Sequence, residues 1–244
     1  MTLTHDLARD VAAVTAQGRA PLAILDVDLT LVDNAPRSRA IFADWIASLR
    51  GHWEGFEAAI QKAPTMPIVF SAEANLRSLG VTDEALVREG LAYWWRAFFT
   101  ARYAMLDTPI PGSIEAALAL RAAGVTLVYL TARPATLADA TIARFRELGL
   151  PVCVPGAVLV TKDDPAEPDR AFKERALAWI ASLGRPILMV DNEPGHVNAM
   201  RAAFPDARAV LIETRHSPGA PPLVDGVDRA PRLDHLVIAA SAAT

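Results

Sequence analysis

The chain contains five short apolar runs, and these constrain its fold more than any other feature. They lie at residues 22–27, 125–130, 158–160, 187–190 and 208–212, each bounded by glycine, proline or polar residues. Short, almost wholly apolar runs are typical of strands buried on both faces, and the segments between them carry helical patterns. The sequence therefore predicts an α/β protein with a parallel sheet covered by helices on both faces.

The expected helices of this core have recognisable ends. Pro134 suits the first turn of one helix and Gly149 its end. Asp169 and Gly184 bracket a second helix, and Pro194 opens a third. Such helices are long enough to connect neighbouring parallel strands.

Residues 34–106 differ from the rest of the chain, because they are too long for one crossover connection and show only helical patterns. Asn34 and Thr82 are placed to cap helices, and glycines are placed to end them. Most of the aromatic residues of the chain fall in this segment, where we expect them to form the core of a helical subdomain; the alternative is that some of them line a substrate pocket. The expected helices span residues 34–50, 71–80 and 82–105.

The two ends of the chain are less distinctive. Residues 1–20 have the pattern of an amphipathic helix rather than the apolar core of a signal peptide, so we expect a cytoplasmic protein. Residues 213–232 are rich in proline and glycine and offer no motif. A last helix is predicted at residues 233–240.

The composition excludes several classes of protein. With 52% hydrophobic and 21% charged residues, the chain of 244 residues has the balance of a globular protein. A net charge of −4 argues against a nucleic-acid partner, and no apolar run approaches the ~18 residues of a membrane span. Cys153 is the single cysteine, which excludes an intrachain disulfide and indicates a reducing compartment.

The first strand ends in a crowded set of acids, within LAILDVDLTLVD at residues 22–33. Asp26 and Asp28 follow a segment that should be buried, where an unpaired carboxylate costs several kcal/mol. A hard divalent cation with oxygen ligands would neutralise them, and Mg²⁺ favours such carboxylates together with retained waters. The acids therefore indicate a magnesium site.

Further polar residues follow other strands of the predicted sheet. Thr131 and Arg133 follow the second strand and Asp191 the fourth, while Lys173 begins a helix. In an open parallel sheet, ligands bind beyond the carboxyl ends of the strands. We therefore expect these side chains to converge on one edge, together with the acids of the first strand.

Four stretches carry a resemblance to a known family. LDVDLT at residues 25–30, LTAR at 130–133, Lys173, and VDN at 190–192 resemble the four ordered motifs of the haloacid dehalogenase superfamily. The resemblance implies a Rossmann-like three-layer α/β/α core with an inserted α-helical cap. The core would comprise residues 1–33 and 107–244, and the cap residues 34–106.

The resemblance implies roles for the acids. Asp26 would attack phosphorus and become an aspartyl phosphate. Asp28 would protonate the leaving oxygen and later activate water, which requires a proton-bearing carboxyl. Asp26, the backbone carbonyl of Asp28, and Asp191 would hold Mg²⁺ as the cofactor.

The polar and basic residues have implied roles and rivals. Thr131 and Lys173 would bind the phosphoryl oxygens, although Thr131 could instead cap the helix after it. Arg133 either contacts phosphate or braces the motif loop, and the two readings are equally supported. Lys162 is a competing candidate for the place of Lys173.

The fourth motif departs from the family pattern, in which a second acid normally follows the first. Here Asn192 is adjacent to Asp191 and only Glu193 is a nearby acid. Asn192, Glu193 or His196 are the candidates to replace that acid, whereas His196 and His216 alone would make a poor metal set. Asp33 is expected to begin the hinge of the cap.

Within the superfamily that the sequence resembles, Asp28 favours a phosphatase, because displacement of halide from carbon needs no proton donor at that position. We therefore predict a phosphatase that acts on a small phosphomonoester. A phosphomutase, or a phosphatase acting on nucleotides or nucleic-acid ends, is an alternative within the superfamily. A regulatory module that binds phosphate without turnover is an alternative from another class. The cap is expected to gate access to the site.

Overall fold

The computed structural model of the protein describes residues 2–238 and confirms the predicted fold class. Within this range the strands alternate with helices along most of the chain. The strands are β1 (Thr2–Leu3), β2 (Pro21–Leu25), β3 (Val32–Asp33), β4 (Thr108–Pro109), β5 (Thr126–Pro134), β6 (Ala157–Lys162), β7 (Arg185–Asp191), β8 (Arg208–Ile212), β9 (Val227–Ala230) and β10 (Val237–Ile238).

The helices of the described chain fall into two groups. The first group belongs to the sheet and comprises α1 (His5–Ala16), α7 (Ser113–Ala122), α8 (Ala138–Leu148), α9 (Asp169–Leu183) and α10 (Pro194–Ala203). The second group lies between β3 and β4 and comprises α2 (Ala35–Ser48), α3 (Phe56–Lys62), α4 (Ala72–Ser78), α5 (Glu84–Phe98) and α6 (Ala101–Ala104).

The main sheet has the strand order β6-β5-β2-β7-β8-β9, and every neighbouring pair is parallel. From the central strand β2 the chain builds the sheet first toward β5 and β6, then on the other side toward β7, β8 and β9. This reversal leaves a crevice at the carboxyl end of β2, between β5 and β7. Ligands of open α/β sheets bind at such a position.

Alternating residues of the buried strands serve two separate cores. In β2, Leu22 and Ile24 pack with the side of the sheet that α9 and α10 cover. Ala23 and Leu25 point the other way, toward α1, α7 and α8. Both faces of the strand are therefore buried, which explains why the strand sequences are continuous apolar runs.

The second group of helices forms a unit with its own apolar contacts, here called the helical insertion (residues 35–104). Its largest cluster surrounds Trp45 and Phe42, and a smaller one contains Ile41 and Phe98. The chain enters through β3 and leaves through β4, and these two short strands pair with each other in an antiparallel ribbon. The insertion thus joins the sheet through two adjacent segments.

Several local predictions were wrong at the level of single elements. The predicted helix 82–105 is divided into α5 and α6, and it is Asp83 rather than Thr82 that accepts the N-terminal hydrogen bonds of α5, from Ala85 and Leu86. The predicted start of a helix at Ser71 is confirmed, because the hydroxyl of Ser71 accepts a hydrogen bond from the N–H of Ala74 at the N-terminus of α4.

The carboxyl-terminal region also differs from the prediction. Residues 213–232 contain the edge strand β9. Its central residues Asp228 and Arg229 are exposed, so the sequence has no apolar run there and the strand was not predicted. Instead of a helix at 233–240, Leu233–Leu236 form a 3-10 turn and Val237–Ile238 pair with β1; the remainder of that prediction lies outside the described residues. Across residues 2–238, no helix combines the length and the apolar character that crossing a bilayer requires.

The junction of α9 and β7 gives a test of the fold. A Cβ added at Gly184 would lie 2.3 Å from the backbone oxygen of Ala20, at the start of the central strand. We expect Gly184→Ala to lower the free energy of unfolding by about 1–3 kcal/mol, because the backbone has to move. Thermal denaturation would measure the change.

Gly195→Ala is the matched control for this substitution. The Cβ it adds meets only the ring of Pro221, at 3.7 Å, and the position is helical. Alanine is favoured over glycine in a helix, so the control should keep or raise the melting temperature. Equal melting temperatures for Gly184→Ala and wild type would contradict the close approach.

Candidate active site

The side chains that the motifs singled out meet at the carboxyl edge of three adjacent strands. Asp26 directly follows β2, Thr131 and Arg133 lie in β5, and Asp191 is the last residue of β7. Lys173 reaches the same place from the first half of α9. All five side chains are buried, as expected if the crevice shields them from water.

The ammonium group of Lys173 contacts both Asp26 and Asp191, and these two residues are here called the acids of the centre. Lys173 Nζ donates to Asp26 Oδ1 and to Asp191 Oδ2, at 2.6 Å in each case. The second oxygen of Asp26 accepts from the hydroxyl of Thr30 at 2.9 Å, and that of Asp191 accepts from the N–H of Glu193 at 2.8 Å. Two carboxylates and one cation therefore share a buried space, with a net negative charge.

The pKa values of these groups reflect that imbalance. Burial and the neighbouring Asp191 raise the pKa of Asp26 to about 7, although Lys173 opposes them. For Asp191, burial opposes ionisation, but Lys173 and His196 outweigh it and hold the pKa well below its usual range. Lys173 is itself penalised by burial, yet the two carboxylates raise its pKa.

Asp28 belongs to a second, separate network. Arg133 donates to both of its oxygens, from Nε at 2.7 Å and from Nη2 at 2.9 Å. The same guanidinium donates to Asp107 at 2.6 Å and to the hydroxyl of Thr141 at 3.2 Å. Arg37, on α2 of the insertion, donates to Asp107 through both Nε, at 2.8 Å, and Nη2.

This network holds Asp28 in its charged form. Burial raises the pKa of an acid, but Arg133 and Arg37 outweigh that effect and lower the pKa of Asp28 well below its usual range. Asn34 adds a hydrogen bond of 3.2 Å to the same carboxylate. The pKa of Asp107 is raised, mainly by burial. The proton-bearing role assigned to Asp28 therefore requires that this arrangement change.

The contacts of Thr131, Lys162 and Lys173 distinguish between the roles expected for them. Thr131 Oγ1 accepts from the N–H of Arg133 at 3.2 Å, and α8 begins only at Ala138, so Thr131 does not cap that helix. Lys162 donates to Asp169 at 2.7 Å and to the carbonyl of Glu167 at 3.1 Å, not to the acids of the centre. Of the two lysines, Lys173 is the one that contacts Asp26 and Asp191.

The three candidates for the missing second acid have different surroundings. The amide of Asn192 donates to the carbonyl of Arg215 at 2.5 Å, and the carboxylate of Glu193 accepts from the N–H and hydroxyl of Ser217. His196 Nδ1 lies 3.3 Å from Asp191 Oδ2. Of the three, His196 is the one whose side chain faces Asp191.

The acids of the centre fit a magnesium ion only as a sparse site. In the part of the chain that the structure covers, 2–238, no group of three or more acidic, histidine or cysteine side chains is placed to hold a metal ion. Asp26 and Asp191 nevertheless supply two adjacent hard oxygen donors. Burial and the charge of Asp191 together raise the pKa of Asp26 to about 7, so Lys173 does not fully offset them. Mg²⁺ suits two carboxylates because it retains several waters.

Sequence reasoning missed two residues of the second network, Arg37 and Asp107. Arg37 lies in the first turns of α2, between Pro36 and Ser38, and Asp107 lies in the linker between α6 and β4. Neither position belongs to a motif. Their burial, at 0% exposure each, would have been the signal, and burial of a charged side chain cannot be read from its neighbours in sequence.

Comparison with known proteins identifies the fold family. The family model of the haloacid dehalogenase-like hydrolases matches residues 21–204. The chain belongs to this family. The match spans β2 to α10 and includes all four motifs, so the resemblance read from the sequence is confirmed.

Solved structures of low sequence identity share the fold of this haloacid dehalogenase-like hydrolase. Protein tyrosine kinase A of Mycobacterium tuberculosis is 18% identical, with 89% of this chain and 96% of that chain covered and a TM-score of 0.57. A putative phosphatase from Clostridium difficile is 14% identical, with 80% and 86% covered and a TM-score of 0.52. Among curated proteins, no sequence matches the chain.

The charge on Asp26 gives a prediction about stability in the metal-free hydrolase. The pKa of Asp26 is raised from 3.8 to about 7, so the folded state keeps a proton that the unfolded chain releases. Ionisation of Asp26 therefore lowers the free energy of unfolding progressively as the pH rises from roughly 4 to 7. Above that range Asp26 causes no further decrease. Asp26→Asn does not ionise. Its melting temperature relative to wild type should thus rise between about pH 5 and pH 8, as measured by calorimetry.

Asp206→Asn provides the control, because the side chain of Asp206 is 83% exposed. Its melting temperature relative to wild type should stay nearly constant over the same range. If the difference between Asp26→Asn and wild type also stayed constant, Asp26 would not carry a raised pKa.

Proposed function

We propose that this hydrolase is a Mg²⁺-dependent phosphatase that cleaves a small phosphomonoester through an aspartyl-phosphate intermediate. The observation that carries the proposal is the cluster of Asp26, Lys173 and Asp191, in which a buried nucleophile lies beside a cation and a second acid. Hydrolase activity follows from the family; the substrate class and the mechanism are our inference.

The first step is attack on phosphorus by a carboxylate oxygen of Asp26. A phosphorus–oxygen bond forms to Asp26, and the bond to the leaving oxygen breaks as Asp28 gives that oxygen a proton. Water then attacks the acyl phosphate, loses its proton to Asp28 and releases inorganic phosphate and free Asp26. Asp28 thus returns to its starting protonation state.

The remaining residues bind charge. Asp26, the backbone carbonyl of Asp28, and Asp191 would hold Mg²⁺, which when bound supplies positive charge between the carboxylates and the phosphoryl group. Lys173 and the Thr131 hydroxyl would bind phosphoryl oxygens. Arg133 already donates to Asp28, Asp107 and Thr141, so we assign it to bracing Asp28 rather than to phosphate.

Residues 34–106, which contain the helical insertion, would act as a cap over the core at residues 1–33 and 107–244. Its separate apolar clusters and its connection through the β3–β4 ribbon support a subdomain that can move against the sheet. Arg37 lies on this insertion and contributes to the low pKa of Asp28. Movement of the insertion would therefore help Asp28 to take up its proton.

One observation favours a different function. The bidentate pairing of Asp28 with Arg133 keeps the proposed acid ionised, as would suit a module that binds phosphate without turning it over. Both functions use the same anion-binding residues. They differ in whether phosphate is released.

We expect wild-type protein to hydrolyse an aryl phosphate in the presence of Mg²⁺ and to lose this activity with a chelator. Asp26→Asn should lower the rate at least about 10³-fold, because no covalent intermediate can form.

Asp28→Asn should slow the hydrolysis of alkyl phosphates about 10²-fold or more and that of aryl phosphates less, since only poor leaving groups need the proton. Release of inorganic phosphate measures both. Equal rates for wild type and Asp26→Asn would refute the nucleophile, and binding without release would establish the non-catalytic module.

Lys173→Met and Lys162→Met form a matched pair that tests the phosphoryl site. Both lysines are buried and paired with an acid, but only Lys173 contacts Asp26. We expect Lys173→Met to reduce phosphatase activity on the order of 10²-fold or more through lost charge stabilisation. Lys162→Met should keep most of the wild-type rate. The reverse result would reassign the phosphoryl-binding lysine.

A further inference from the structure

The segment 213–217, here called the bridging loop, contacts residues next to the first and fourth motifs although it carries no motif of its own. The hydroxyl of Thr214 donates to the carbonyl of Leu29 at 2.5 Å, in the loop that follows Asp28. The carbonyl of Arg215 and the N–H and hydroxyl of Ser217 pair with Asn192 and Glu193, next to Asp191. The bridging loop is therefore fixed to the first and fourth motifs.

Arg215 extends from the bridging loop to the helical insertion. Its Nη1 donates to the carbonyl of Ile68 at 2.7 Å, within the insertion. Its Nη2 donates to Asp33 at 2.9 Å and to the side-chain oxygen of Asn34 at 3.2 Å, at the entrance to the insertion. One guanidinium thus joins the core, the hinge and the insertion.

Asn34 continues this connection to the proposed acid. While its oxygen accepts from Arg215, its amide nitrogen donates to Asp28 Oδ1 at 3.2 Å. The Asn34 side chain forms no N-cap hydrogen bond to α2, where the carboxylate of Asp33 accepts from the N–H of Ala35 instead. The amide of Asn34 is therefore free to align Asp28, and Arg215 fixes its orientation.

We propose that Arg215 is a positioning residue, which fixes the helical insertion against the core through Ile68 and orients Asp28 through Asn34. Arg215 touches Asp33 and Asn34 but neither Asp26 nor Asp191. The planar fork of an arginine suits this task, because it directs several N–H groups to separate acceptors at once. A lysine cannot reproduce that geometry. The catalytic part of the inference rests on the proposed phosphatase function, whereas the structural part does not.

The position of the insertion can be measured without any enzyme activity. Cys153 is exposed on the core and is the single cysteine of the chain, and Glu57 is exposed on α3 of the insertion. Spin labels on Cys153 and on a Glu57→Cys variant would report the distance between the two parts. We expect a narrow distribution with Arg215 and one at least about twice as broad in Arg215→Met and Arg215→Lys, because loosened elements sample more positions.

Arg39→Met is the matched control for this measurement. Arg39 Nε also donates to a carbonyl of the same segment, that of Met66, at 2.8 Å, but both residues belong to the insertion. The control should leave the distribution narrow. An unchanged distribution in both Arg215 variants, or equal broadening in the control, would overturn the proposal.

Substrates with different leaving groups distinguish a positioning role of Arg215 from a merely structural one. If Arg215 acts on Asp28, both Arg215 variants should lower kcat/KM for an alkyl phosphate about tenfold and for an activated aryl phosphate less than about threefold. Equal loss for both substrates would overturn the action through Asn34. If wild type released no phosphate at all, the proposed function would fail, but the distance measurement would still decide whether Arg215 fixes the insertion.

Discussion

The structure depends on one buried ammonium group, that of Lys173, which lies between Asp26 and Asp191. Without it, two carboxylates would face each other away from water, at a cost of several kcal/mol each. With it, one negative charge still remains uncompensated. Under the function that we propose, this remaining negative charge would favour binding of a divalent cation beside Asp26 and Asp191.

The two halves of the site differ in charge balance. Around Asp28, two acids face two arginines, since Asp107 and Arg37 complete the network with Arg133. That half is neutral and fully paired, so it has no need of an added ion. Asp26 and Asp28 stand only two residues apart, yet Asp26 shares one ammonium group with Asp191 whereas Asp28 is paired with two arginines.

The sequence predicted those features that depend on the succession of residues along the chain. Asp26, Thr131 and Asp191 follow apolar runs in the sequence, and parallel strands bring such positions to the same edge of the sheet. Arg37, Asp107 and the contacts of the bridging loop depend on how the helical insertion lies on the sheet, which no local pattern records. The strand β9 was missed for a related reason, because an edge strand with exposed polar residues shows no apolar run.

The conformation of Leu29 links the bridging loop to the geometry of the acids. Leu29 has a φ of +62°, a left-handed conformation that costs a non-glycine residue about 1–2 kcal/mol. Two hydrogen bonds hold it, from its own N–H to the carbonyl of Val32 and from Thr214 to its carbonyl. The strain lies between Asp28 and Thr30, the residue that donates to Asp26. The turn between the two acids is thus hydrogen-bonded to a loop that lies 185 residues away in sequence, and this contact helps to offset the strain at Leu29.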